Sequence, residues 1–215
     1  RRSSAPNIRV LQKAELRTIF LGFDQWRDQL LKSDVTGKNP LRDVRVRRAL
    51  YHAVDIETLR SKLMNGLSVP TGGYTPSPRG AYEDAELESR LPFDLDAARR
   101  LMAEAGHAAG FEVTLDCPNN RYINDEKICQ ATVGFLGQIG IKVTLDARPM
   151  AQHTPTILKD ETDFYMLGWG VASFDAAYTL DSLYHSRDKV YGTNNATRTV
   201  YPEWDKKKEG LATAT

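Results

Sequence analysis

The sequence predicts an α/β fold, and three observations carry that prediction. Residues 111–145 read strand, helix, strand: Phe111, Val113 and Leu115 alternate, an amphipathic stretch closed by Gly140 follows, and Ile141, Val143 and Leu145 alternate again. That order at that spacing implies a right-handed crossover between parallel strands. Residues 43–66 read as a pair of helices, and residues 163–167 as a further apolar strand.

In chain order, residues 15–24 alternate enough for a strand, with Leu16, Ile19 and Leu21 beside Phe20 and Phe23. Residues 32–40 are a polar loop ended by proline. Asp43 is placed to cap a helix by accepting from first-turn N–H groups, and Val46, Ala49, Leu50 and Ala53 then form one apolar stripe. Asp55 restarts a second helix with Ile56, Leu59 and Leu63 inward and Gly66 as its stop. Residues 68–92 are rich in Gly, Pro, Ser and Tyr, an irregular segment of a length that is more often functional than idle. Asp94 caps a helix that turns Ala98, Leu101, Met102 and Ala105 to one side and ends at Gly106. The crossover helix runs from Asn124 with Ile128, Ala131, Thr132, Phe135, Leu136 and Ile139 on one face. A helix within 150–159 is disturbed by Pro155, and another starts at Glu203. The lysine run at 206–208 reads as a solvated face of that last helix.

With 215 residues the chain can bury a substantial core. Hydrophobic and charged contents of 41% and 27% are those of an ordinary globular protein. A formal net charge of +1 provides no field to gather nucleic acid or an acidic membrane. No apolar run is long enough to span a bilayer, and the opening RRSSAPNIRV has no apolar core of an export signal. Cys117 follows a strand and Cys129 lies in the first turns of the next helix, so a bridge is geometrically possible, worth roughly 3 kcal/mol for so short a loop. The alternative is two free thiols.

The wording of several segments adds a resemblance. Residues 39–55, NPLRDVRVRRALYHAVD, resemble the start of the second lobe in bacterial ABC-transporter solute-binding proteins of the peptide/nickel/opine family. Residues 92–106, PFDLDAARRLMAEAG, resemble that family's helix before a buried strand, and residues 111–116 and 141–146 its paired strands. Residues 167–175, LGWGVASFD, resemble its Gly-Trp-Gly cleft segment. Four landmarks in order cover nearly the whole chain. The resemblance implies a periplasmic-binding-protein type II lobe, a mixed sheet with flanking helices, spanning 1–215. The N-terminal lobe and extreme C-terminus would lie outside the chain, and the export signal with the former. It further implies a monomer that binds a peptide or other small molecule by closure of two lobes, without cofactor or catalysis. The full-length protein would be periplasmic or lipid-anchored, with a membrane permease as partner and no nucleic acid. An alternative on the same kind of domain is the ligand-sensing part of a bacterial transcription regulator, and a non-peptide solute such as an opine or sugar is a further one.

Ligands of open parallel sheets bind at the carboxyl ends of strands. Two segments qualify here, 117–124 and 168–175. The first offers Asn119, Arg121 and Tyr122 beside a helix N-terminus, a set suited to an anion. Read from spacing alone, Arg121 pairs at the surface with Asp116, Asp125 or Glu126; in dipeptide-binding members, the resemblance implies, an arginine at this place holds the ligand carboxylate. The second offers the flat face of Trp169, with Gly168 and Gly170 admitting a close backbone approach. A core position for Trp169 is the alternative. Peptide-binding members carry an aspartate for the ligand ammonium two residues after the second glycine; here that position is Ala172, and Asp175 is the nearby acid. Tyr74 resembles a residue of the cleft rim, with simple loop packing as the equal alternative.

Other chemistry finds no support. His52, His107, His153 and His185 are far apart and lack metal-ligand spacing. There is no nucleophile elbow and no phosphate loop.

Overall fold

The computed structural model describes residues 11, 15–74, 85–171 and 175–211. Four strands form a mixed sheet in the order β1-β4-β2-β3: β1 (Thr18–Phe23), β2 (Glu112–Pro118), β3 (Lys142–Arg148) and β4 (Phe164–Trp169). β2 is parallel to both β3 and β4, and β1 runs antiparallel along β4. The carboxyl ends of β2, β3 and β4 therefore share one edge of the sheet, as the crossover at 111–145 requires.

Helices α1 (Val44–Ala53), α4 (Leu95–Glu104) and α5 (Asp125–Gly137) cover one face. Asp43 caps α1 by accepting from the Arg45 N–H at 2.8 Å, and α1 buries Val46, Ala49, Leu50 and Ala53, the stripe read from sequence. Asp94 caps α4 through the Ala97 N–H at 2.8 Å. The core joins those helices to Val113, Leu115 and Met166 of the strands. Gly110 and Gly140, at φ 77° and 86°, bring the entries of β2 and β3 together. A Cβ at Gly110 would overlap the Gly140 carbonyl, so only glycine fits there.

Several elements differ from the sequence reading. β1 starts at Thr18, three residues after the alternation begins. The helix α2 (Ile56–Thr58), capped by Asp55, widens into a π-helical turn over Leu59–Leu63, and of its three expected inward residues only Leu59 is buried. On α5 and just past its end the expected face holds in part: Thr132, Leu136 and Ile139 are buried and Ile128 packs on the core, but Ala131 and Phe135 are only half-buried, and Asp125 and Cys129 join the inward side. The irregular segment contains a short helix, α3 (Ala85–Glu88). Thr71 donates its hydroxyl to Glu88 at 2.7 Å and accepts from Arg90 at its carbonyl. Pro155 lies within α6 (Met150–Leu158) without ending it. A helical stretch unread in the sequence, α7 (Ala176–Thr179) running into a π-helical turn at Leu180–Tyr184, precedes the last helix, α8 (Pro202–Leu211). In α8, Lys206 and Lys207 are exposed but Lys208 is buried, paired with Asp181 and 3.9 Å from the centre of the Tyr191 ring. The solvated-face reading therefore holds for two of the three lysines, because only Lys208 has an acid and a ring to shelter it.

Candidate functional site

The two segments picked from the sequence meet at the shared carboxyl edge. β2 ends in the turn 119–124, and its geometry is fixed by Asp125 at the start of α5. The buried Asp125 carboxylate accepts from the backbone N–H groups of Arg121, Tyr122 and Glu126 at 2.8, 3.0 and 2.9 Å. Asp125 is thus spent on the turn and not on the Arg121 side chain. Asp116 is taken as well: it is buried, receives Thr162 Oγ1 at 2.6 Å and pairs with Arg148 at 3.2 Å. Among the described residues the exposed Arg121 guanidinium has no ion pair; it lies 5.4 Å from the centre of the Tyr122 ring.

Tyr122 ties the turn to the other segment. Its hydroxyl accepts from the Gly168 N–H at 2.9 Å, and a Cβ at Gly168 would collide with the Tyr122 ring and with Ile19. Glycine at 168 is what allows the ring to lie across β4. Arg17, just before β1, holds its guanidinium 5.7 Å from the centre of the same ring and pairs with Glu15 at 2.7 Å. On the opposite flank Asn120 accepts from Met150 N–H at 2.8 Å, and the Asn119 N–H donates to the Arg148 carbonyl at 3.1 Å. The Asn119 side chain is exposed at this rim.

Trp169 is largely covered. Its indole N–H donates to Thr179 Oγ1 at 3.0 Å, and its ring stacks on Tyr178 with centroids 5.5 Å apart. The exposed Tyr178, together with Thr179, was invisible to the sequence reading, since α7 has no apolar periodicity to announce it. Gly170 is exposed, and a Cβ there would press on the Leu16 carbonyl at 3.0 Å. Asp175 is exposed and caps α7 by accepting from the Ala177 N–H at 2.8 Å. Ala172 lies outside the described residues.

Tyr74 stands apart. It packs edge-on against Phe20 and Tyr184, at 4.7 and 5.4 Å between centroids, and lines a different cavity. Burial raises its phenol pKa, with a smaller push from Tyr51. The structure therefore brings Asn119, Arg121, Tyr122, Trp169, Gly170 and Asp175 to one edge and leaves Tyr74 elsewhere. Cys117 and Cys129, the last inward residue of β2 and one from the second turn of α5, are joined by a disulfide with their Cα atoms 6.6 Å apart. Among the described residues no cluster of three or more acidic, histidine or cysteine side chains could hold a metal ion. No described helix is long and apolar enough to cross a membrane.

What this edge offers chemically is an uncommitted guanidinium, two glycines and a stacked aromatic pair. Residues 2–191 match the bacterial extracellular solute-binding proteins, family 5, middle region. The chain is similar to the glutathione-binding protein GsiB of Salmonella choleraesuis strain SC-B67, 29% identical over 163 residues, covering 74% of this chain and 31% of the relative. Among solved structures, it is similar to AgaA of A. tumefaciens R10 in complex with agropinic acid, at 27% identity and a TM-score of 0.74, covering 93% of this chain and 38% of that one. A dipeptide-binding protein from Pseudoalteromonas sp. SM9913 in complex with Met-Leu shares the fold, with a TM-score of 0.78 at 22% identity over 99% of this chain and 40% of that one. The chain thus spans about a third of the length of the curated relatives it matches, 31% for the first.

Proposed function

The chain belongs to the bacterial extracellular solute-binding proteins of family 5, and from that premise we propose that it is one lobe of the substrate-binding component of an ABC importer, taking a peptide-like solute that carries a carboxylate. The family is one of binding proteins, not of enzymes. The observation that carries the reading is the Arg121 guanidinium, exposed and without an ion pair among the described residues, on a turn fixed by Asp125 and tied to β4 through Tyr122. An arginine so held is ready to make a paired hydrogen bond to a carboxylate.

In this reading Arg121 grips the anionic end of the solute, with Asn119 beside it. Backbone at Gly170 meets the solute closely, and the Trp169–Tyr178 stack supplies an apolar wall. Asp175, at the start of α7, meets a cationic or hydroxyl group. The second lobe closes over this edge by a hinge motion, with no covalent step, and the complex docks on a membrane permease from the periplasmic side. The buried disulfide supports an oxidising compartment.

A second reading, an opine-like solute, is favoured by the likeness to AgaA and by alanine at 172, where peptide-binding members have the ammonium-pairing acid. Calorimetric titration of the full-length protein with short peptides, their N-acetylated forms and glutathione separates the two. Micromolar or tighter binding of free peptides supports the peptide reading. Equal binding of both forms means the amino terminus is not read. Binding of none of them sinks the peptide reading and moves the search to opines.

A further inference from the structure

Phe20 on β1, Arg47 on α1 and Tyr165 on β4 open onto a second cavity of about 230 Å³, lined by none of the carboxyl-edge residues Asn119, Arg121, Tyr122, Trp169 and Asp175. Tyr74 and Tyr184 form further walls. Tyr165 is 2% exposed, and its ring takes the space that a side chain at Gly22, its partner across the sheet, would occupy. Tyr165 lines the cavity together with Tyr74, Tyr184 and Tyr201. Burial raises the pKa of Tyr74, Tyr165 and Tyr184, so all three remain hydrogen-bond donors at neutral pH.

Arg47 is half-buried in the same wall. One of its N–H groups goes to the Leu41 carbonyl at 2.8 Å. Among the described residues no carboxylate pairs with it, and Asp43, the nearest acid along the chain, is engaged by Arg45 at 2.6 Å. Burial pulls the Arg47 pKa down, with Tyr201 and Asp43 opposing, yet an arginine stays charged. A half-buried cation with no carboxylate partner among the described residues therefore lines a cavity walled by tyrosines, where burial weakens its solvation.

We propose that this cavity is a second ligand site, for a small organic carboxylate. One guanidinium balances one negative charge, so a monoanion matches it and a phosphate dianion does not. The carboxylate meets Arg47, the tyrosine hydroxyls and the Gln25 amide, and a short apolar remainder lies against Phe20. At roughly 30 Å³ per water, the space equals on the order of eight waters, room for a small organic acid. The site is independent of the solute edge, because Arg121 takes no part in it.

The test is calorimetric titration of the full-length protein with propionate at constant ionic strength, with inorganic phosphate in parallel, on the wild type and three variants. Saturable propionate binding is expected, weakened at least tenfold by Arg47→Gln and by Ala196→Leu, which fills the cavity while leaving the charge. Arg121→Ala should leave it within twofold, and phosphate should bind more weakly than propionate. Absence of saturable binding, tighter binding of phosphate, loss in Arg121→Ala, or binding that survives Ala196→Leu would each overturn the proposal. Ala196→Leu alone decides the matter if Arg47→Gln does not fold.

Discussion

Arg121 and Asp125 divide the work of one turn: the acid holds the backbone and leaves the guanidinium uncommitted. Truncating a charge-assisted hydrogen bond costs about 1.5–3 kcal/mol, or roughly 10- to 150-fold in affinity. Arg121→Ala in the full-length protein should weaken solute binding by that factor with little change in its thermal midpoint, since the exposed guanidinium makes no ion pair among the described residues and only a ring contact with Tyr122. Asp125→Asn should do the reverse and destabilise, because three N–H donors then lose an anionic acceptor. Titration and thermal melts on the two variants check the division. Gly110 is constrained differently: alanine there meets both a left-handed backbone and the Gly140 carbonyl. Gly110→Ala should cost about 2–5 kcal/mol in urea denaturation.

Among the elements, β2 and α5 are cross-linked by Cys117–Cys129, which closes a loop with a sequence separation of 12. Replacing both cysteines with serine should cost about 3 kcal/mol, read as a lower urea midpoint than the oxidised wild type. Both sulfurs are fully buried, so reductant should act slowly on the native protein and fast once it unfolds. α1 and α4 are legible in the sequence because each combines a capping aspartate with apolar inward residues, and the strands because each shows a period-two alternation or, for β4, a short apolar run. On α5 and just past its end the sequence places Thr132, Leu136 and Ile139 inward correctly but misses Asp125, a buried acid that a hydrophobic stripe does not register. The stretch after β4 was not legible for the same reason: Thr179, Ser182, His185 and Asn195 are all buried and all polar. For the site, strand order placed both segments at one edge, but not Tyr122 on Gly168, Thr179 on Trp169, or Tyr74 in a different cavity. Those contacts depend on which side chains lie across neighbouring strands, and one-dimensional spacing does not encode that.

Across the whole molecule the histidines set opposing pH dependences. His185 is buried with the Ser186 carbonyl at Nδ1, 2.8 Å, and the Glu209 carboxylate at Nε2, 3.0 Å. Both neighbours are acceptors, so only the doubly protonated ring satisfies both. Burial pulls its pKa down, but the Ser186 and Glu209 hydrogen bonds and the nearby Asp205 and Asp188 raise it above 6.5 overall. Its contribution to stability is complete below 6.5 and is lost as pH rises through the raised value. His153 and His107 are shifted down by burial, so theirs is complete above 6.5 and is lost as pH falls through the lowered values. The histidine share of stability should therefore peak near 6.5. Urea midpoints across pH 5–9 should show His185→Gln flattening the alkaline limb and His153→Gln the acid limb. The hydrogen bond from Gly168 to Tyr122 has a kinetic consequence as well. It joins two segments from different strands into one prearranged surface, so little ordering is left to be done during an encounter. Solutes that fit this surface should arrive at similar rates and differ chiefly in residence time.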